Sequence, residues 1–307
     1  MIAILMAAYN GESFIARQIE SIITQSYQDF ILYINDDVST DNTFEIIQQF
    51  AVKYPKKIIA TQNFENSGSA KHNFINMMIS HKADYIMLCD QDDVWLPNKI
   101  ELTLGKMKSM EKLHPSTPIL VHTDLKVVDE NLRVLLPSYR KATSRNYNRT
   151  AFNQVLTLNN VSGCTIMYNR ALSALIDKKP KYCIMHDWWL QLIASAFGKI
   201  AHINEATILY RQHGANSIGA KDTRTLSYKI NRLMNSDFIK ERINSTYPQA
   251  ESFLQLYLRK LADTQINILE RFIAIPEMKK INRWRTICNL GFFMDGFSRN
   301  IAYFLFV

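Results

Sequence analysis

The chain has 307 residues, 47% apolar and 21% charged, an ordinary globular composition that excludes a disordered or low-complexity polymer. Cys89, Cys164, Cys183 and Cys288 show no CxxC spacing, so neither a disulfide framework nor a zinc site is predicted and reduced thiols are expected. The net charge of +8 gathers in the tail, where residues 221–307 hold 14 Lys or Arg against 8 Asp or Glu, so nucleic acid or an anionic membrane surface is a candidate partner only there.

Ile2–Tyr9 reads as a first strand rather than a signal peptide, because Met1–Met6 lacks a basic start and the chain turns polar by Asn10. A helix follows over about Ser13–Gln25, then a strand at Phe30–Asn35 and a polar turn whose Ser39, Thr40 or Asp41 is placed to cap a helix at Thr43–Tyr54. Lys57–Thr61 is a third strand, Asn63–Ser69 a loop before a helix to about His81, and Tyr85–Cys89 a fourth strand. Strands alternating with helices imply βαβ units and a mainly parallel sheet, so the first 95 residues read as an α/β nucleotide-binding half. A helix at Pro97–Leu113 and strands at Ile119–His122 and Leu125–Asp129 come next, then a polar, irregular stretch at Asn131–Arg149 expected to be a mobile loop. Val161–Tyr168 reads as a strand interrupted by Ser162-Gly163-Cys164, His186–Phe197 as a helix, and Ile200–Asn204 and Ala206–Tyr210 as short strands. From Thr223 the pattern is helical, and a boundary near Gly219–Asp222 divides a catalytic domain, 1–220, from a helical C-terminal region, 221–307.

The chain is organised around Tyr85–Pro97, where an apolar run ends in Asp90-Gln91-Asp92-Asp93, three carboxylates within four residues. Ligands bind at the carboxyl ends of parallel strands, and crowded carboxylates there call for a hard divalent cation such as Mg²⁺ or Mn²⁺. The competing reading is an acidic helix start before Pro97. Asp36-Asp37 ends the second strand on the same predicted edge, able to meet a pyrimidine or ribose or simply to cap a turn. No GxGxxG follows the first strand and no GxxxxGK[ST] occurs, which argues against a dinucleotide enzyme and a P-loop ATPase. A bound nucleoside diphosphate would then depend on metal rather than glycine amides.

Ala7-Ala8-Tyr9-Asn10, Asn35–Asp41 and Cys89–Asp93, taken in order, resemble family-2 glycosyltransferases of the GT-A fold. Asp90–Lys99, His186-Asp187-Trp188-Trp189 and Tyr210–Gly214 are similar to bacterial rhamnosyltransferases within that family, over roughly residues 2–219. The resemblance implies that Ala7, Tyr9, Asp36 and Asp37 line the nucleoside pocket, with Lys71 approaching from the third helix. It makes Asp90 and Asp92 the DxD pair, Asp92 as metal ligand and Asp90 toward ribose or an ordered water, while Asp93 is expected to cap the next helix. His213 is a candidate metal or diphosphate ligand and Arg211 a diphosphate partner. Gly163 lies in an acceptor-side segment near the sugar, and Cys164 is expected to pack rather than react. His186 stands where the family often has Glu, leaving Asp187 as sole catalytic base, with His186 and Trp188 in the acceptor or sugar pocket. A carboxylate beside two tryptophans is expected to be desolvated, and so a stronger base.

The implied reaction is inverting and metal-dependent. The implied donor is dTDP-L-rhamnose and the acceptor a lipid-linked cell-surface polysaccharide, with a UDP-sugar transferase or a non-catalytic sugar-nucleotide binder as alternatives. A nucleic-acid binder is disfavoured because the motifs lie in the nearly neutral first 220 residues. A cytoplasmic enzyme held peripherally on the inner face of the membrane is expected, homodimerisation being the competing use of the tail. Lys279, Lys280, Arg283 and Arg285 precede broken apolar runs too short to span a bilayer, and each basic side chain near headgroups contributes about 1 kcal/mol.

Overall fold

Strand β1 (Ile2–Ala8) is buried at every residue, as a continuous apolar run needs to be when both faces of a parallel sheet are covered. It lies between β2 (Phe30–Asp36) and β4 (Tyr85–Asp90), and β3 (Ile58–Gln62) continues beyond β2, all in the same direction. The crossovers are α1 (Ile15–Ile23), α2 (Thr43–Lys53) and α3 (Ala70–Ser80). In α1 the buried residues Ile15, Gln18, Ile19 and Ile22 form the i, i+3, i+4, i+7 stripe of a helix laid on a sheet. The start of α2 is supported by Asp41, whose Oδ1 accepts the Thr43 N–H at 3.0 Å.

The fold is that of a computed structural model, which describes residues 1–214 and 236–307. They form two compact units. The first comprises Met1–Tyr139, Val161–Lys179 and the described part of Lys199–Ala220; the second comprises Arg140–Asn160, Pro180–Gly198 and the described part of Lys221–Val307. The boundary expected near Gly219–Asp222 lies outside the described residues.

Beyond β4 the first unit departs from the parallel pattern. After β5 (Val94–Trp95) and α4 (Lys99–Leu113), β6 (Ile119–Val128) runs as one strand. It does not break at Thr123-Asp124, because register shifts there absorb the polar residues as bulges. The stretch expected as an irregular loop contains β7 (Val134–Leu136), paired with β6, and α5 (Tyr139–Thr143). Asp129 Oδ1 closes that hairpin by accepting the Asn131 and Arg133 N–H groups at 2.9 and 2.8 Å. After α6 (Phe152–Thr157), Gly163–Thr165 is a 3-10 turn, and β8 (Ile166–Asn169) is shorter than expected. It returns between β4 and β6, antiparallel to both. Past α7 (Arg170–Ser173) and α8 (His186–Phe197), β9 (Lys199–Arg211) is again one strand, parallel to β6 and antiparallel to β5. The sheet is therefore mixed, with its parallel half where the nucleotide motifs lie.

The second unit gathers α8 with α9 (Ser236–Asn244), α10 (Thr246–Tyr257), α11 (Asp263–Ile273), α12 (Lys280–Leu290) and α13 (Phe297–Phe306). Trp189 is 1% exposed, with ring centroids 5.4 Å from Phe253 and 6.2 Å from Tyr257. Tyr247, Phe272 and Phe292 continue this aromatic core. Large rings in edge and tilted contact bury most area per residue. Trp189→Ala is expected to cost about 3–5 kcal/mol, read as a lower urea midpoint for loss of the second unit's near-UV circular dichroism.

Candidate active site

Strand register assembles the first-unit residues. Ala7 pairs with Asn35 on one side and Asp90 on the other, and Ala8 pairs with Asp36, so three separate strings end on one carboxyl edge. Asp36 is fully buried; its Oδ2 accepts from Ser39 N at 3.0 Å and Gln62 Nε2 at 2.9 Å. Asp37 holds the next loop, accepting from Asn63 Nδ2 at 2.6 Å, Ser67 N at 2.8 Å and Ser67 Oγ at 2.7 Å. Both carboxylates thus shape the pocket edge through internal bonds. Val38 between these turns adopts φ 63, a rare conformation for a β-branched residue. Tyr9 is 47% exposed. Lys71 lies half-buried in the first turn of α3.

Gln91 fixes the loop after β1. Its Oε1 accepts the Tyr9 N–H and its Nε2 donates to the Tyr9 carbonyl, both at 2.8 Å. The clamp needs glycine at 11, where a Cβ would lie 2.3 Å from Gln91 Oε1.

The three carboxylates after β4 have different surroundings. Asp90 is half-buried at the strand end. Asp92 Oδ2 meets His213 Nε2 at 2.9 Å, with 15% and 10% of the two side chains exposed. Asp93 is fully buried and does not cap α4, which begins six residues later after Asn98. Its Oδ1 instead accepts the Arg211 N–H at 3.1 Å, joining the acidic loop to the end of β9. Burial, and then the charges of Asp92 and Asp90, push the Asp93 carboxyl well above its ordinary range. Burial also raises the Cys164 thiol, in keeping with a packing residue. Nearby, Lys99 is fully buried with Nζ 4.6 Å from the Trp95 ring centroid. Burial lowers its pKa to about 8 against the opposing pull of Cys164, Cys89 and Asp93.

Arg211 is 4% exposed. Its Nε donates to the Asp92 carbonyl at 2.9 Å, another guanidinium nitrogen donates to the Glu130 carbonyl, and the group lies 4.8 Å above Phe14. In this arrangement it braces the acidic loop. Phe14 also packs on His213, with ring centroids 4.6 Å apart.

Two acidic clusters could be considered for a metal. Ligand atoms of Asp90, Asp93 and Cys164 lie within 4.8 Å of one another, but a soft thiol whose pKa burial raises suits Mg²⁺ or Mn²⁺ poorly. The Asp92–His213 pair fits better. It offers a carboxylate oxygen and an imidazole nitrogen, both reached by water that can complete the ion's shell.

The remaining predicted residues are divided. Gly163 opens the 3-10 turn of the first unit. His186, Asp187 and Trp188 begin α8 in the second. Asp187 Oδ1 accepts from Asn159 Nδ2 at 3.0 Å and from Trp188 N at 2.6 Å, and Trp188 Nε1 donates to the Val155 carbonyl at 2.7 Å. Burial lowers the His186 pKa, opposed by Asp187, so the imidazole is neutral at pH 7.

The family model for glycosyl transferase family 2 matches residues 3–175, more than half the chain. The chain belongs to that family. Asp187, Arg211 and His213 lie beyond the matched segment. Among curated relatives of this family-2 chain, the dTDP-rhamnosyl transferase RfbG of Shigella flexneri is 30% identical over 78% of this chain and 82% of its own length. The fold is GT-A. S. aureus TarS 1–349, solved in complex with UDP-GlcNAc, is similar with a TM-score of 0.53 at 15% identity, covering 99% of this chain and 89% of that one. The mannosyltransferase PcManGT of Pyrobaculum calidifontis, solved with GDP-Man and Mn²⁺, gives 0.53 at 12% identity, covering 94% and 84%.

Gln91, Gly11, Phe14 and Lys99 had no assigned role in the sequence reading. Gln91 and Lys99 sit inside the quoted strings, but their partners are distant in sequence and could not be read from spacing.

These surroundings separate the adjacent aspartates. Asp93→Asn keeps a neutral acceptor for the Arg211 N–H and is expected to retain most transfer activity, whereas Asp93→Leu leaves that donor unpaired and costs about 1–3 kcal/mol in chemical unfolding. Asp92→Ala is expected to abolish transfer and metal-dependent nucleoside diphosphate binding by calorimetry. Gly11→Ala should displace the Gln91 amide and weaken donor binding several-fold, read by the same titration.

Proposed function

We propose that this family-2 glycosyltransferase inverts the anomeric centre as it moves L-rhamnose from dTDP-L-rhamnose to a lipid-linked polysaccharide at the inner face of the membrane. The observation that carries the reading is the Asp92–His213 pair beside the nucleotide edge of the sheet. The donor assignment is supported by similarity to RfbG. Tyr9, Asp37 and Ala7 are assigned to the nucleoside, with Asp36 supporting their turn. Lys71 is assigned to the diphosphate and Asp90 to the ribose. Arg211 contributes by holding the loop that carries Asp92.

Mg²⁺ or Mn²⁺ held by Asp92 and His213 would supply charge neutralisation for the departing diphosphate. Asp187 is assigned the base role on the resemblance of His186–Trp189 to the family's base position. It accepts the proton of the acceptor hydroxyl, whose oxygen bonds to the anomeric carbon as the bond to diphosphate breaks. Asn159 and the Trp188 N–H occupy its Oδ1, leaving Oδ2 for the proton. Gly163, His186 and Trp188 are assigned to the sugar and acceptor side on the same resemblance.

Solved relatives carry UDP and GDP sugars, so the deciding assay offers dTDP-L-rhamnose beside UDP- and GDP-sugars and follows nucleotide release with and without EDTA. Release from dTDP-L-rhamnose alone, lost in EDTA, is the expected result; preference for a UDP-sugar reassigns the donor, and binding without turnover leaves a sugar-nucleotide-binding protein. Asp187→Asn keeps the Oδ1 acceptor and is expected to preserve donor affinity while turnover falls about 100-fold or more. Unchanged turnover in a normally folded variant would move the base elsewhere.

A further inference from the structure

Helix α13 is apolar on two faces. Ala302, Tyr303 and Val307 are buried in its own unit. Phe297, Ile301 and Leu305, at i, i+4 and i+8, face outward, 83%, 43% and 56% exposed. An exposed ridge of large apolar side chains marks an interaction surface.

Trp284 of α12 extends this ridge. It is 40% exposed, donates its indole N–H to the Phe304 carbonyl at 3.0 Å, and meets the Phe304 ring edge-on at 6.3 Å. Lys280 places its ammonium 5.4 Å above the indole, and Arg285 is exposed on the same helix. Arg283, expected among the headgroup contacts, is instead spent internally on the Met278 and Pro276 carbonyls, each at 2.7 Å.

Charge selects the occupant. Of the five Lys or Arg in residues 279–307, Arg283 and Arg299 donate to backbone carbonyls and Lys279, Lys280 and Arg285 are exposed, while the one acid there, Asp295, is 8% exposed and accepts the Asn146 N–H at 2.7 Å. A second copy related by a two-fold axis would bring one basic face onto another. An anionic phospholipid leaflet instead offers apolar chains to the ridge and negative headgroups to its basic flank, with tryptophan at the boundary. No helix among the described residues is long and apolar enough to cross a membrane.

We infer that the Phe297–Ile301–Leu305 ridge, with Trp284 beside it, inserts into the surface of an anionic phospholipid leaflet. This deepens the proposed function by supplying the surface that brings the enzyme to a lipid-linked acceptor, and it rests on that reading.

The test uses the full chain with vesicles of phosphatidylglycerol and phosphatidylcholine or of phosphatidylcholine alone. Sedimentation with the anionic vesicles, at least tenfold weaker on the neutral ones and reduced in 1 M salt, is expected. Phe297→Ser/Ile301→Ser/Leu305→Ser should lower partition at least tenfold and leave donor hydrolysis in solution unchanged. Should that variant fold poorly, wild-type emission decides: Trp95, Trp188 and Trp189 are buried, so quenching by brominated lipid reports Trp284 and should disappear in Trp284→Phe. Equal binding to neutral vesicles, no quenching, or a wild-type dimer that the triple variant converts to monomer without vesicle binding would overturn the inference. Vesicle binding without donor turnover would instead sink the transferase reading and spare the surface.

Discussion

Three carboxylates cannot share one strand end as equals. Two such charges 4 Å apart repel by roughly 4 kcal/mol at an effective dielectric of 20. The first unit resolves the crowding by giving each a different environment: Asp93 goes inside as the acceptor for the Arg211 N–H with its pKa pushed up by burial, Asp92 meets an imidazole, and Asp90 stays at the strand edge. The ends of β4 and β9 are thereby tied together, and Phe14 supports Arg211 and His213 together. Loop position and electrostatics are one problem with one solution.

Where the sequence was legible, a local period carried the information. The apolar runs of β1 and β4 and the alternation of strands with helices led to the parallel half of the sheet, while the pairing of Ala7 with Asp90 is a finding of the structure. Reading failed where tertiary pairing overrode local pattern. Thr123-Asp124 looked like a break between two strands, yet β6 continues through it because β9 accommodates the shift. Val134-Leu135-Leu136 is too short to announce a strand and becomes one only because β6 offers a neighbour.

The candidate site divides in the same way. Asp90, Asp92 and Asp93 were visible as a cluster, but their separate environments depend on β9, over a hundred residues later. The helical unit gathers 140–160 and 180–198 with the described part of the tail. Trp189 explains why: a ring of that size needs Phe253 and Tyr257 to cover it, and both come from the tail. Asp187 therefore belongs to a helix whose packing is decided by residues far beyond it.

The Gln91 clamp has an evolutionary corollary. It grips Tyr9 only by its backbone amide and carbonyl, so the loop's position is indifferent to which side chain stands at 9. That side chain is nearly half exposed at the edge where the nucleoside is assigned. Position 9 can therefore drift, or be randomised in a library, on an unaltered frame, and neighbouring lineages could change their preferred base there without first solving a folding problem.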